Sequence, residues 1–332
     1  MDVPATMKAA FIRERGPVDK IEYGDLPTPQ PGPGEVLVRV QAVAVNPVDT
    51  LVRSGAFPTQ LPFPFVLGRD LVGVVAAAGN RVTHFHLDQR VWSNSLGHDG
   101  RQGSFAEYVC VPEERTYALP SPVDSETAVA AFHPAATAYA GLVQHAGIRP
   151  SDVVFVGGGA GNVGSAVLQL AYGIGCRVLV SVHGREDTAW CREHGAEAVM
   201  DYQDANLAAQ VRAAASHGVD VHWDTSGQHD LDQAAEMLAF GGRVLLTAGA
   251  RARPPVPVGP MYWKNARILG FVISNARVDN LAEAAVTINR MLAMGTLVPR
   301  ITEVMPLSQA AEAHRRMETG QVRGRLVLRP HA

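Results

Sequence analysis

The stretch Val153-Val154-Phe155-Val156-Gly157-Gly158-Gly159-Ala160-Gly161-Asn162-Val163-Gly164 restricts this chain more than any other. Its four leading apolar residues read as a short buried parallel strand. Glycines follow at once, and Ser165 to Ala171 then reads as a helix. Gly159, Gly161 and Gly164 stand in the G-x-G-x-x-G spacing. The first permits a tight turn, the second lets the backbone approach a pyrophosphate, and the third lets helix and strand pack closely. The pyrophosphate would rest on the free N–H groups and positive dipole end of the helix. The spacing alone is weak. A strand before it and a helix after it make it a dinucleotide cradle, lined by Gly159, Ala160, Gly161, Asn162 and Val163.

At 332 residues the chain exceeds the usual size of a single core, so two domains are expected. Before the glycine loop, Met7 to about Leu119 is β-rich. Val36 to Val43, Val72 to Gly79, Arg90 to Trp92 and Ser104 to Val111 read as strands between Gly/Pro turns, which suggests a small barrel-like domain. Glu126 to Phe132 and Ala136 to Gln144 read as two helices. After the loop, strands and helices alternate through a last strand at Ile268 to Ile273. That order predicts a doubly wound parallel sheet. The tail adds helices at Leu281–Met294 and Ser308–Met317 and a closing strand at Arg325–Leu328, expected to return to the first domain.

A net charge of −3 with both signs interspersed gives no reason to expect a nucleic-acid or membrane face. No apolar run is long enough to span a bilayer, and the first residues do not read as a signal peptide. Cys110, Cys176 and Cys191 are scattered and odd in number, as expected of reduced thiols in the cytoplasm.

Several motifs resemble the medium-chain dehydrogenase/reductase superfamily, and most closely its zinc-free quinone oxidoreductase (zeta-crystallin-like) branch. They are Ala44-Val45-Asn46-Pro47-Val48-Asp49, Gly68-Arg69-Asp70, Thr137-Ala138-Tyr139 and the glycine loop. The resemblance implies an α/β chain with a discontinuous GroES-like catalytic domain, residues 1–124 and 275–332, around a Rossmann domain, residues 125–274. It places the active site in the cleft between them and implies a homodimer or homotetramer joined through the Ile268–Ile273 edge strand.

Zinc-dependent members hold their catalytic metal with Cys, His and Cys. The matching positions here are Asn46, Arg69 and His133. An amide is a poor ligand and a guanidinium repels a metal, so no metal site is expected. Arg69 and Asp70 read as an ion pair filling that space. Without a Lewis acid, an activated acceptor such as a quinone or an α,β-unsaturated carbonyl is the expected substrate.

The cofactor reading follows from the second strand of the nucleotide sheet. NAD-specific chains end it with an acid for the ribose 2′-OH. This one ends Ser181-Val182-His183-Gly184-Arg185. Ser181, His183 and Arg185 suit a 2′-phosphate, and Tyr202 stands where the family has a Tyr near it, so NADPH is expected. Thr137 matches a family position near the nicotinamide. Ser226, Ala248-Gly249-Ala250 and Val272-Ile273-Ser274 follow later strands at the ends where a cofactor lies. Arg325 is read either as reaching the cofactor phosphates or as a solvated edge-strand charge.

The resemblance turns the Asn46 and Asp49 loop toward nicotinamide and substrate, although Asn-Pro and Asp also serve turns. His133 is a candidate proton donor, against the plainer reading of a hydrogen-bonded structural histidine. Phe57, Phe63, Phe65 and Met261 are expected to shape the acceptor site. The function expected is NADPH-dependent, zinc-independent reduction of quinones. Reduction of 2-alkenals or enoyl thioesters is the alternative enzyme. Leu51 and Phe57, where relatives often carry a tyrosine, count against tyrosine-dependent enoyl reduction. A non-catalytic NADPH-binding protein of crystallin or RNA-binding type is the alternative class. No basic patch argues for RNA.

Overall fold

The computed structural model describes residues 3–331. The chain divides into two compact units, residues 1–133 with 277–332, and residues 134–276. In chain order the first unit opens with β1 (Thr6–Ile12), β2 (Glu22–Pro27), β3 (Glu35–Ala44), α1 (Pro47–Ser54), β4 (Phe65–Val66) and β5 (Asp70–Ala78). It continues with β6 (Arg90–Ser93), β7 (Tyr108–Pro112) and β8 (Tyr117–Ala118), and enters α2 (Ser125–Tyr139). The longest strand, β3, follows the Pro/Gly-rich turn and buries nearly every apolar residue it carries. It pairs with β5 along one side and with β7 along the other, both antiparallel.

The second unit follows the βαβ order expected from the alternating pattern. It comprises β9 (Val153–Gly157), α3 (Asn162–Ile174), β10 (Arg177–Val182), α4 (Arg185–Glu193), β11 (Ala198–Asp201), α5 (Leu207–Ala214) and β12 (Val219–Asp224). After these come α6 (Leu231–Met237), β13 (Leu238–Leu246), α7 (Val258–Trp263) and β14 (Arg267–Gly270). The strands form one sheet in the order β11-β10-β9-β12-β13-β14, and each pair is parallel. Order reverses beside β9, so the glycine turn stands at the topological switch point, where such sheets bind ligands. The β9 residues are buried throughout, as the unbroken apolar run requires.

The tail supplies α8 (Val278–Ala293), β15 (Ile301–Pro306), α9 (Ala310–Glu318) and β16 (Arg325–Arg329). Strand β16 pairs antiparallel with β3, so the chain end completes the sheet begun near its start. Asn289 of α8 reinforces the closure. Its side chain accepts from Trp92 Nε1 at 3.0 Å and donates to Ala118 O at 2.9 Å. Trp92 in turn stacks on Phe132, with ring centroids 3.8 Å apart.

Two expectations differ from the structure. The helices read on either side of Pro134 are one helix, α2, which carries Pro134 inside and runs on as a π-turn through Ala140–His145. Burial of Ala128 to Phe132 and of Ala135, Ala136 and Ala138 holds the helix together across the missing N–H. The last strand of the parallel sheet stops at Gly270, and Ile273–Asn275 form a 3-10 turn instead.

The π-turn has a steric partner. A Cβ on Gly141 would stand 2.1 Å from the Trp223 ring and 2.9 Å from Phe271. Gly141→Ala is therefore expected to destabilise by about 1–3 kcal/mol through overpacking. The reading is a fall in the urea midpoint followed by intrinsic fluorescence.

Candidate active site

The second unit presents the nucleotide cradle. Gly158, not Gly159, takes the left-handed turn, with φ of +73°. Gly159 is required for a different reason, since a Cβ there would lie 2.7 Å from Val180. At Gly164 a Cβ would meet Gly158 O at 2.1 Å, so the first turn of α3 sits directly on the loop. The Ser181 carbonyl accepts from the N–H groups of both Gly158 and Gly159, which fixes the turn on the neighbouring strand. Helix α3 starts at Asn162 behind Gly161, leaving its first N–H groups at a positive dipole end. A pyrophosphate suits that cradle.

Later loops gather at the same sheet edge. Gly227 and Gly249 both have positive φ and are pressed together, since a Cβ on Gly249 would stand 2.4 Å from Gly227 O. His229 Nε2 bonds Ala248 O at 2.9 Å, and Ser226 Oγ donates to Asp224 Oδ2 at 2.8 Å. Ser226 and Ala248 to Ala250 are thereby drawn together and exposed. Ile273 is buried, and Ser274 presents a buried Oγ with no hydrogen-bond partner. Thr137 is buried in α2. An orphan hydroxyl and a glycine cradle on one unit fit a nicotinamide dinucleotide.

The residues read as a 2′-phosphate site divide between two hollows. Ser181 and Tyr202 line a cavity of about 480 Å³ with Gly157, His222 and Asp224. Burial there pushes the His222 imidazole down to about 4. His183 and Arg185 line a separate depression with Thr188, Arg192 and Asp201. Two of these were missed in the sequence. Arg192 lies seven residues after Arg185, on the same helix face. Asp201 ends β11 and pairs in register with Val182, which brings its carboxylate within 3.0 Å of His183 Nδ1. The acid that β10 lacks is thus supplied by the adjacent strand.

The first unit holds a buried charged cluster. Asn46 is fully buried at the start of α1, with its amide engaged at both ends. Its Nδ2 donates to Asp70 Oδ2 at 2.8 Å, and its Oδ1 accepts from Arg325 Nη2 at 2.9 Å. Its backbone N–H donates to Asp49 Oδ2 at 2.8 Å. Asp49 Oδ1 lies 4.0 Å from Arg69 Nε, and Arg325 Nη2 lies 3.5 Å from Asp70 Oδ2. His133 Nδ1 stands 3.7 Å from Asp70 Oδ1. The fold therefore unites Asn46, Asp49, His133 and Arg325 in one network.

That placement corrects three readings. Arg325 neither reaches a phosphate nor lies at a solvated edge, because β16 runs between β15 and β3 and its guanidinium is 2% exposed. Arg69 and Asp70 do not form an ion pair with each other, since Arg69 faces Asp49 while Asp70 faces Arg325 and His133. Phe65 and Met261 are buried in the apolar cores of the two units, leaving Phe57 and Phe63 as the accessible aromatics of that set.

Desolvation dominates the electrostatics of the cluster. It pushes Asp49 up to about 7 against the opposing pull of Arg69 and the Asn46 N–H. It lowers both Arg69 and Arg325, which Asp49 and Asp70 partly offset. Arg69 Nε and Nη2 and Arg325 Nε are buried without hydrogen-bond acceptors. A catalytic zinc does not fit these donors. The Asn46 amide is committed and two guanidiniums are buried beside it, with His133 the one azole in the set. Among the described residues, no group of three or more His, Cys, Asp or Glu side chains could hold a metal.

A parallel sheet with a dinucleotide cradle in one unit and a β-rich second unit in the same chain is an architecture of nicotinamide-dependent oxidoreductases. Residues 32–121 match the family described as "Alcohol dehydrogenase GroES-like domain", and residues 162–287 that described as "Zinc-binding dehydrogenase". The chain is 27% identical to the quinone oxidoreductase of Homo sapiens over 325 residues, covering 97% of each. It resembles the crystal structure of an NAD-dependent alcohol dehydrogenase at 31% identity, with a TM-score of 0.89, over 97% of this chain and 99% of that one. A mycobacterial structure complexed with NADPH is 30% identical, with a TM-score of 0.85, over 98% of this chain and 100% of that one. The chain belongs to the medium-chain dehydrogenase/reductase superfamily, in its quinone oxidoreductase branch, and is an oxidoreductase.

Two outcomes test the cluster. Arg325→Met strands Asn46 Oδ1 and Asp70, so a loss of about 3–5 kcal/mol is expected by urea unfolding. A weaker cofactor affinity at unchanged stability would restore the phosphate reading. Asp49 gives a pH signature. Its carboxyl titrates near 3.9 when unfolded and near 7 when folded. Between these values the native state holds the extra proton, so stability contributed at this site falls as pH rises from about 4 to 7 and levels off above. Its slope approaches about 1.4 kcal/mol per pH unit. Unfolding curves of Asp49→Asn between pH 5 and 8 are expected to lack that slope.

Proposed function

We propose that this chain reduces quinones, or closely related conjugated carbonyl compounds, at the expense of NADPH. The observation that carries the reading is the Arg69 guanidinium, buried 4.0 Å from Asp49 at the position that the resemblance matches to a zinc ligand. A permanent cation there disfavours a Lewis-acid metal. The acceptor must then be electrophilic enough to take hydride unaided, which a quinone is. Bound nicotinamide supplies that hydride, and one proton must follow to give the hydroquinone.

The protein's share is positioning and a proton. Asn46, locked at both ends of its amide, fixes the start of α1. Asp70 orients His133 through the 3.7 Å approach of Nδ1, and His133 hands its proton to the acceptor oxygen as hydride arrives. His133→Phe is expected to lower kcat by about 10²-fold, with the pH profile flattened. A wild-type rate would assign the proton to solvent.

The preference for NADPH rests on Arg185 and Arg192 in the depression beside His183. Asp201 bonds His183, so the two arginines carry the attraction for a 2′-phosphate. Arg185→Ala with Arg192→Ala should raise KM for NADPH at least tenfold while changing KM for NADH little. Equal losses with both cofactors would overturn the phosphate assignment. A screen of NADPH and NADH oxidation with 1,4-benzoquinone, 9,10-phenanthrenequinone, 2-alkenals and enoyl thioesters tests the acceptor class.

We further propose a homodimer formed through the second unit. Strand β14 is an open edge of its sheet, and Phe240, Val258, Tyr262 and Trp263 are exposed nearby in sequence on β13 and α7. Tyr262→Glu with Trp263→Glu should yield monomers in sedimentation velocity. We propose a cytoplasmic location on the three free, scattered cysteines; among the described residues, no helix is long and apolar enough to cross a membrane.

A further inference from the structure

The loop between β6 and β7 gathers positive charge at Arg101 beside Arg115, neither of which forms an ion pair among the described residues. Arg101 Nε donates to Ser95 O at 3.2 Å, and Arg115 Nη1 donates to Ser95 Oγ at 3.2 Å. Two half-buried guanidiniums therefore converge on one residue. Among the described residues, neither has a carboxylate within ion-pair distance. Arg69 belongs to the same group. Its carbonyl accepts from Leu96 N at 3.3 Å, and the Phe57 ring stands 5.7 Å from its guanidinium and 5.7 Å from the His98 ring.

The groups feel one another. Burial first, then Arg115 and Arg69, lower Arg101, while Asp99 and Glu114 act on it from beyond contact distance. Burial, Arg69 and Arg101 likewise lower His98. Like charges held together in a half-buried place repel one another. A fold keeps such an arrangement where an anion visits it. Independent of that convergence, two N–H-bearing atoms of Arg69, itself 1% exposed, are buried and lack acceptors. The Tyr117 hydroxyl, close enough to feel Arg115, is buried without a partner as well.

We propose that Arg69, Arg101 and Arg115 form an anion site that takes a carboxylate or sulfonate carried by the acceptor, so that the preferred substrates are acidic quinones or enones. This rests on the reductase reading for the word acceptor, and on the cluster alone for the word anion. Arg101 and Arg115 offer forked N–H donors to a planar carboxylate or a sulfonate, and Arg69 supplies the buried end. The second source of such chemistry is a free inorganic anion, which the test separates.

The full-length protein is titrated with naphthalene-2-sulfonate by calorimetry, with naphthalene-2-methanol and sodium sulfate in parallel. The sulfonate is expected to bind at least tenfold more tightly than the alcohol or sulfate. Arg101→Gln with Arg115→Gln, checked for an unchanged unfolding midpoint, should lose that margin, and Arg115→Lys should keep part of it. Turnover is read as the ratio of kcat/KM for 1,4-naphthoquinone-2-sulfonate to that for 1,4-naphthoquinone. Intrinsic reactivity cancels when the ratio is compared between wild type and the double variant, where at least a tenfold fall is expected. Sulfonate affinity or a ratio unaltered by the double substitution overturns the site, as does sulfate binding equally well. Sulfonate binding without reduction of any quinone would leave the anion site standing and remove the reductase reading.

Discussion

The bond from Arg325 Nη2 to Asn46 Oδ1 joins residues 279 positions apart and is buried on all sides. Much of the first unit depends on it. It fastens the closing strand to the end of β3, and through Asn46 it reaches Asp70 and the start of α1. A guanidinium is costly to bury, but Asn46 and Asp70 return hydrogen bonding and charge. Replacing the cluster with apolar side chains of like volume could match its stability. What apolar side chains would not do is hold Asn46, Asp49 and His133 in one orientation, because dispersion is not directional and hydrogen bonds are.

The same cluster explains why a chain matching a family called zinc-binding carries such different side chains. Where a divalent cation would be held, Arg69 brings a cation that is part of the chain. Its charge is answered incompletely, by an Asp49 that burial keeps partly protonated near neutral pH. A positive potential therefore survives without a metal. A metal can bind an oxygen and polarise it directly, whereas a guanidinium fixed by Asp49 and Phe57 acts through hydrogen bonds and field. On the proposed reading, the weaker electrophile pairs with the more reactive acceptor.

How much of this was legible in the residues depended on the range of the physics involved. Short-range rules carried well. The glycine turn, the alternating strands and the parallel order follow from spacing and period, as β9 and α3 show. Within the turn, the tight bend falls at Gly158, which takes the positive φ, while Gly159 is required by the nearness of Val180. Pro134 misled because burial of α2 on its alanine face outweighs a lost hydrogen bond. Pairings across the sheet could not be read at all. Nothing local tells that Arg69 turns to Asp49 rather than to its neighbour Asp70, or that Asp201 reaches His183 from the next strand.

Asp201 also changes the meaning of the missing acid on β10. A strand that ends without a carboxylate has been read as open to a 2′-phosphate, but the sheet register restores a carboxylate one strand away. On the proposed NADPH reading, cofactor choice depends on whether that carboxylate remains tied to His183. While His183 holds it, Arg185 and Arg192 are the donors left in the depression for a phosphate. Were His183 replaced by a side chain that cannot hold the carboxylate, Asp201 would face the ribose as the β10 acid does in NAD-specific chains. On that reading, selectivity is a property of a pair on two strands rather than of the last residue of one.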